Sequence, residues 1–144
     1  MTIDMLELRE IFFDEANEHL AAMGAALLAL EHAPHDRELI NQIFRAAHSI
    51  KGGSGAFGFG DLLRFTHSLE GLLQLVRDER LSFDASLVDL LLRATDTLRE
   101  LVTSTKREEA PPGSLDDLLV EMERKIAGDA ILAEPRGPFV ARTF

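Results

Sequence analysis

Four side chains in the middle of the chain have types and spacing suited to chemistry. His48 lies at the edge of an apolar helical stripe, with Lys51 three residues on and Gly52 four residues on, so all three share one helical face. On the next predicted helix, His67 and Glu70 are three residues apart and also share a face. A titratable imidazole beside a cation and bare backbone suits the approach of a large, negatively charged group.

Three glycines follow His48 within two helical turns, at Gly52, Gly53 and Gly55. A glycine in a helix interior costs about 1 kcal/mol relative to alanine, so helix stability alone does not explain them. The pattern predicts that side chains must be absent here. The run from Gly53 to Gly58 also matches G-x-G-x-x-G. A helix and not a strand precedes it, so a dinucleotide site is disfavoured.

The composition is that of one globular domain. The chain has 144 residues, of which 46% are hydrophobic, which is enough for a real core. No cysteine is present, which excludes disulfides, thiol catalysis and cysteine-based zinc sites. The charge balance of 15 − 25 = −10 disfavours nucleic acid and anionic lipid as partners. Without a signal-like segment or an apolar run of about 20 residues, we expect a soluble, cytoplasmic protein with no membrane insertion.

Apolar residues recur at helical spacing in five segments. Asp36 and Asp84 are the predicted N-caps of the second and fourth helices, because an aspartate side chain accepts hydrogen bonds from first-turn N–H groups. The predicted helices cover residues 5–31, 36–57, 60–80 and 84–107, with a short fifth helix from 114 to 128. The predicted core stripe of the third helix consists of Leu62, Leu63, Thr66, Leu69, Leu73 and Val76.

Five amphipathic helices predict an all-α fold, an up-and-down antiparallel four-helix bundle with a fifth C-terminal helix. Residues 1–128 form the predicted domain, and residues 129–144 are expected to be an irregular tail or the start of an interdomain linker. A tight turn at Gly58 makes the second and third helices antiparallel neighbours. His48 and Glu70 then lie at similar heights, so the candidate residues form one cluster.

The sequence from Phe44 to Gly58, FRAAHSIKGGSGAFG, resembles the phosphoacceptor motif of histidine phosphotransfer (HPt) domains. It is similar in particular to the P1 domains of CheA-type chemotaxis histidine kinases, and residues 66–73, THSLEGLL, resemble the second motif of that family. The resemblance extends over about residues 5–127. It implies that His48 is the phosphoacceptor and that Glu70, Lys51 and His67 support it. The three glycines would then give other proteins access to His48.

The resemblance also implies a division of labour between this chain and its partners. An ATP-binding kinase domain of the CheA type, in trans on another subunit, would phosphorylate His48 and supply ATP and Mg²⁺. A response regulator of the CheY or CheB type would then take the phosphoryl group onto an aspartate with its own Mg²⁺. We expect no metal or cofactor in this domain, no autophosphorylation by it alone, and a link to chemoreceptor clusters through a parent protein.

Three other interpretations remain open from the sequence. The first is a stand-alone HPt protein of a multistep phosphorelay, which shares the chemistry. The second is a non-catalytic helical adaptor, in which His48 is incidental and the glycines serve packing. The third is a metal site formed by His48, His67 and Glu70. Lys51 beside these residues disfavours a cation there.

Overall fold

The computed structural model describes residues 4–133 as five α-helices and the loops between them. No strand occurs in these residues, which confirms the predicted all-α class. None of the helices in this range is long and apolar enough to cross a membrane. The helices are α1 (Met5–Leu30), α2 (Arg37–Phe57), α3 (Gly60–Arg77), α4 (Ala85–Arg107) and α5 (Leu115–Ala133).

Aspartate side chains begin three of the helices. Asp36 accepts hydrogen bonds from the backbone N–H groups of Glu38 and Leu39 at 3.0 and 3.3 Å, and Asp84 accepts one from Leu87 at 2.9 Å. Both predicted N-caps are confirmed. Asp4 caps α1 in the same way. Each cap satisfies backbone donors that have no partner within the helix, so these residues fix where the helices start.

The turn between α2 and α3 is fixed by a glycine in the left-handed conformation. Gly58 has φ 73° and ψ 26°, a region that other residues enter at a cost. The Phe59 N–H donates to the Ser54 carbonyl at 2.9 Å, and the Gly58 N–H donates to the Gly55 carbonyl at 3.3 Å. This pair of hydrogen bonds is a Schellman motif. It ends α2 and turns the chain back within two residues, so α3 packs antiparallel to α2.

The first four helices surround one core, with contacts between α1 and α2, α2 and α3, α3 and α4, and α1 and α4. This ring of contacts is the predicted up-and-down bundle. The fifth helix packs across α3 and α4. All five helices contribute large side chains that are almost fully buried, among them Phe13, Leu20, Ile43, Ile50, Phe65, Leu72, Leu87, Leu98 and Met122.

The third helix differs from its prediction in length and in its buried face. It ends at Arg77 and not near residue 80. The prediction that Leu63 lies in the core is wrong, because its side chain is 39% exposed, whereas Phe65 and Leu72 are fully buried. The reason is that α3 contacts α2, α4 and α5. It therefore buries a wider apolar face than the single stripe that the spacing suggests.

The fifth helix is longer than predicted. It continues through Gly128 to Ala133, so the predicted end near residue 128 is wrong and the first five residues of the expected tail are helical. A single glycine weakens a helix without ending it, which explains the error at this position. The remainder of the expected irregular tail, residues 134–144, lies outside the described residues.

Candidate functional site

The side chain of Glu70 joins α2 to α3 through both of its carboxylate oxygens. Its Oε2 is hydrogen-bonded to Nδ1 of His48, and its Oε1 accepts a hydrogen bond from Nζ of Lys51. The antiparallel pairing at Gly58 produces this arrangement, because it brings a residue of α3 level with one turn of α2. The structure therefore brings together three of the four candidate residues as the sequence predicted.

The three side chains differ sharply in their exposure to solvent. The His48 side chain is 64% exposed, whereas those of Lys51 and Glu70 are 24% and 12% exposed. With Nδ1 engaged by Glu70, the second ring nitrogen, Nε2, is the one left for an incoming group. A carboxylate that accepts from Nδ1–H fixes this tautomer. The arrangement thus presents an oriented ring nitrogen on the surface, with its partners sheltered beneath it.

The electrostatics of the site keep Glu70 ionised. Burial raises the pKa of Glu70 and is the largest single influence on it. The hydrogen bonds from Lys51 and His48, together with their positive charges, outweigh burial and hold the pKa of Glu70 below its usual value. A sheltered carboxylate that stays charged can stabilise a positive charge that develops on the imidazole ring.

The glycines near His48 do not share one role. A side chain added at Gly52 would meet nothing within 4 Å, so this position is open surface one turn from His48. Gly55 lies a further turn along that face, and a Cβ there would lie 3.7 Å from Leu63. At Gly53, by contrast, a Cβ would lie 2.5 Å from Cε1 of Phe12.

Gly53 is therefore a packing position, and the prediction that it opens access to His48 is wrong. Successive residues of a helix are about 100° apart, so Gly53 faces α1 when Gly52 faces solvent. The absence of a side chain at Gly53 lets α2 approach the Phe12 ring closely. Gly52 and Gly55 remain the positions that leave the surface around His48 bare.

His67 lies beside the cluster without joining it. Its side chain is exposed, and it lines a shallow concavity between α2 and α3 together with His48, Glu70, Gly71 and Gln74. Within residues 4–133, His67 forms no hydrogen bond with His48, Lys51 or Glu70. Nor does this part of the chain contain any group of three His, Asp or Glu side chains arranged to hold a metal ion.

Two residues at the site were missed by sequence reasoning. The Phe44 ring lies nearly parallel to the His48 ring, at an interplanar angle of 9° and a centroid distance of 6.3 Å. The guanidinium of Arg77 lies over the Phe44 ring, 4.0 Å from its centroid. The available signal was spacing, since Phe44 is one turn before His48 and Arg77 is two turns after Glu70.

An apolar groove runs between α1 and α2 on the side of α2 that carries Ser49 and Gly53. Its lining includes Leu8 and Phe57, and three large apolar side chains of this part of α1, Met5, Leu6 and Ile11, are at least half exposed. Exposed apolar patches of this kind mark surfaces where other proteins bind.

A helical bundle that presents an oriented, exposed histidine over a sheltered carboxylate has the construction of a histidine phosphotransfer domain. Residues 7–105 match the family model described as Hpt domain, and the chain belongs to this family. The fifth helix, which starts at Leu115, lies beyond the matched region.

The similar curated proteins include chemotaxis proteins CheA. The chain is 43% identical to CheA of Rhizobium meliloti over 104 residues, which cover 72% of this chain and 14% of that protein. It is 38% identical to CheA of Salmonella typhimurium over 130 residues, which cover 90% of this chain and 19% of that protein. The chain thus spans about a fifth or less of these CheA proteins.

Two solved structures of phosphotransfer domains share the fold. The phosphorylated P1 domain of CheA3 in complex with CheY6 from R. sphaeroides has a TM-score of 0.76 and 32% identity, and the match covers 85% of this chain and 97% of that one. The solution structure of the histidine phosphotransfer domain of CheA has a TM-score of 0.73 and 30% identity, covering 85% and 93%. The chain therefore resembles the P1 domain of CheA in sequence and in fold.

Proposed function

We propose that this chain is the phosphoacceptor domain of a CheA-type chemotaxis histidine kinase. His48 receives a phosphoryl group from an ATP-bound kinase domain and passes it to an aspartate of a response regulator of the CheY or CheB type. The observation that carries this proposal is the exposed His48 ring, with Nδ1 bound to the sheltered carboxylate of Glu70. The family membership of the chain supports it.

The first transfer is a nucleophilic substitution at phosphorus. The lone pair of His48 Nε2 attacks the γ-phosphorus of ATP, so an N–P bond forms while the bond from that phosphorus to the ADP oxygen breaks and ADP leaves with the electron pair. The ring keeps its Nδ1 proton and gains positive charge. Glu70 stabilises that charge through the hydrogen bond it accepts, which is strengthened because the donor is then cationic.

The second transfer reverses these roles. A carboxylate oxygen of the regulator's aspartate attacks phosphorus, an O–P bond forms, and the N–P bond breaks with its electron pair returning to Nε2. His48 regains the neutral imidazole with its proton on Nδ1, held by Glu70. The same hydrogen bond thus serves acceptance and release, which suits a carrier that acts between two active sites.

Lys51 supports both transfers through Glu70. Its ammonium group has three N–H donors. One is used by Oε1 of Glu70, which holds the carboxylate in place and keeps it charged. The remaining donors are available to oxygens of a phosphoryl group on the neighbouring His48. Lys51 therefore acts as a compact charge that stays beside the site in the phosphorylated and unphosphorylated states.

The partners supply the rest of the chemistry. ATP and Mg²⁺ come with the kinase domain, which acts in trans from another subunit, and the regulator brings its own Mg²⁺ to its aspartate. The isolated domain accordingly does not phosphorylate itself. This function places the chain in the cytoplasm, near chemoreceptor clusters through its parent protein.

The apolar groove between α1 and α2 is the surface that we assign to the regulator. It is continuous with the side of α2 that carries Ser49, the residue next to His48. A solved relative of this chain is a phosphorylated P1 domain in complex with CheY6, which supports a contact with a regulator. The exposed carboxylate of Glu15 lines this groove and favours a partner with a basic group beside its apolar contact.

Phosphosite mapping tests the proposal directly. The chain is incubated with a CheA-type kinase domain and Mg²⁺–ATP, and the product is analysed by mass spectrometry under neutral or basic conditions. We expect acid-labile, base-stable phosphate on His48, none without the kinase domain, and none in His48→Gln. His32→Gln is the control, because His32 is exposed at the other end of the bundle. Phosphate on His67, or none with an active kinase, would refute the assignment.

A further inference from the structure

The two sides of the His48 ring along α2 are very different. One turn after His48, Gly52 leaves open surface. One turn before it, Phe44 fills the space with a phenyl ring that is itself partly buried against the core. Nothing in the phosphotransfer chemistry described above uses this asymmetry. However, this difference between Gly52 and Phe44 determines the direction from which a large group can reach Nε2 of His48.

The Phe44 ring limits the orientations of the imidazole. The two rings are nearly parallel at 9°, and the 6.3 Å between their centroids lies within the range of interacting aromatic pairs. They are four residues apart on one helix, which places their side chains on the same face. Because the His48 side chain is 64% exposed, few other groups restrict its rotation. The Phe44 ring and the Glu70 carboxylate therefore restrain the imidazole from two directions.

Arg77 in turn restrains Phe44. Its guanidinium carbon lies 4.0 Å from the centroid of the phenyl ring, well inside the distance at which cation–π attraction acts. Arg77 and Glu70 are seven residues apart on α3, so both face α2. The third helix thus contacts the site twice, once through a carboxylate on His48 and once through a guanidinium on the ring that packs against His48.

A purely structural account of the same residues must be separated from this one. Phe44 contributes apolar burial, and Arg77 lies in the last turn of α3, where a cation interacts favourably with the helix dipole. Those roles affect the stability of the fold. They do not require that the Phe44 ring be parallel to His48 or that the Arg77 guanidinium lie over that ring. An effect on the imidazole itself distinguishes the two accounts.

We propose that Phe44 and Arg77 are positioning residues for phosphotransfer. The Phe44 ring, held by the Arg77 guanidinium, closes the side of His48 towards the start of α2 and orients Nε2, so that phosphoryl donors and acceptors approach over Gly52. This inference rests on the proposed function of His48, and it adds two residues that act through the imidazole without touching the phosphoryl group.

The test uses the 144-residue chain and phosphoramidate, a small phosphoryl donor that needs no docking surface. Phosphorylation of His48 is followed by ³¹P NMR for Phe44→Leu, which keeps an apolar side chain and removes the ring, and for Arg77→Gln. Phe83→Leu controls for the loss of a partly buried phenyl group elsewhere. Arg107→Gln controls for loss of a cation in the last turn of a helix. Three-bond couplings to Cγ of His48 report its χ1 rotamers.

We expect Phe44→Leu to slow phosphorylation about 2- to 10-fold, the range expected from the strength of an aromatic pair, and to average the χ1 couplings. Arg77→Gln should act in the same direction and more weakly, while both controls keep the wild-type rate and couplings. Wild-type rate and couplings in Phe44→Leu, or an equal loss in Phe83→Leu, would overturn the proposal. If the wild-type chain takes no phosphoryl group at His48, the proposed function fails, and unchanged or averaged couplings in Phe44→Leu then decide the positioning role.

Discussion

Glu70 and Glu121 are two of the carboxylates that join pairs of helices in this bundle, and their surroundings differ. Glu70 joins α3 to α2 and is 12% exposed. Glu121 joins α5 to α4 through two hydrogen bonds from Arg93 at 2.9 and 2.6 Å, and it is 47% exposed. The main influence on the pKa of Glu121 is the hydrogen bond from Arg93, which lowers it. At Glu70 the main influence is burial, which opposes ionisation.

This difference in exposure separates Glu121, which forms a structural ion pair on the surface, from Glu70, which belongs to the candidate reactive site. The Arg93–Glu121 pair is well solvated, so each charge is stable without the other and the pair contributes little to stability. Glu70 is sheltered, and the hydrogen bonds and charges of Lys51 and His48 outweigh the effect of burial and hold its pKa below the usual value. A change at the exposed His48 ring is therefore felt at Glu70. Similar ion-pair chemistry is structural where water screens it and reactive where burial couples the groups.

The strongest way to break this comparison is to neutralise both carboxylates. Glu70→Gln keeps a hydrogen-bond acceptor for Nδ1 and removes the charge, so phosphorylation of His48 should slow about 10-fold, the difference between a charge-assisted and a neutral hydrogen bond. Glu121→Gln should leave the rate unchanged. Time courses with the kinase domain measure both rates. Equal phosphorylation rates in Glu70→Gln and Glu121→Gln would mean that Glu70, like Glu121, forms only a structural ion pair.

A second comparison concerns adjacent glycines. Gly53→Ala places a methyl group against the Phe12 ring, which is packed between Phe13, Phe57 and Phe59 and has little room to move. We expect the free energy of unfolding to fall by about 1–3 kcal/mol, as in other overpacked cores. Urea unfolding followed by circular dichroism measures it. The matched control, Gly52→Ala, should be neutral or stabilising, because nothing lies within 4 Å.

The role that we assign to Gly52 predicts slower phosphoryl transfer in a variant that is no less stable than the wild type. Gly52→Gln should raise the free energy of unfolding by about 0.5–1 kcal/mol, because glycine is the poorer helix former. The same side chain should slow transfer from the kinase domain and to the regulator, since it fills the bare surface beside His48. Stopped-flow transfer measurements test this effect. Undiminished rates in both directions would remove the steric role of Gly52.

The smallest expected effect is the loss, at acidic pH, of the contribution of Glu70 to the free energy of unfolding. Because the pKa of Glu70 in the folded protein lies below its ordinary value of 4.5, ionised Glu70 stabilises the native state above that pH, and the contribution is lost as the pH falls through the lowered value. The wild type should exceed Glu70→Gln in free energy of unfolding by about 1 kcal/mol or less near neutral pH. That difference should shrink below pH 4.5 in urea titrations. A constant difference down to acid pH would contradict the coupling.

The sequence allowed the framework of the site to be predicted because local signals determine it. Asp36 and Asp84 mark helix starts by capping chemistry, and the Gly58 turn pairs α2 with α3. Once those helices are antiparallel, His48 and Glu70 must lie level. These features depend on residues near one another in the chain, so spacing was sufficient.

Features that depend on distant contacts could not be predicted in this way. Gly53 looks the same as Gly52 until the Phe12 ring of another helix is in place. Leu63 and Phe65 both fit helical spacing, and the packing of α2, α4 and α5 against α3 determines which of the two is buried. The Arg77 guanidinium over Phe44 likewise depends on the approach of α3 to α2. In each case the deciding partner comes from another helix.

The two-residue turn at Gly58 and Phe59 also makes chain length part of the chemistry. One residue inserted into or deleted from α3 between this turn and Glu70 would rotate Glu70 by about 100° relative to the start of α3. Glu70 would then face away from His48, although every side chain of the site would still be present. The number of residues between His48 and Glu70 is therefore as necessary to the site as the two side chains themselves. A search for working versions of this domain must count positions as strictly as it matches residue types.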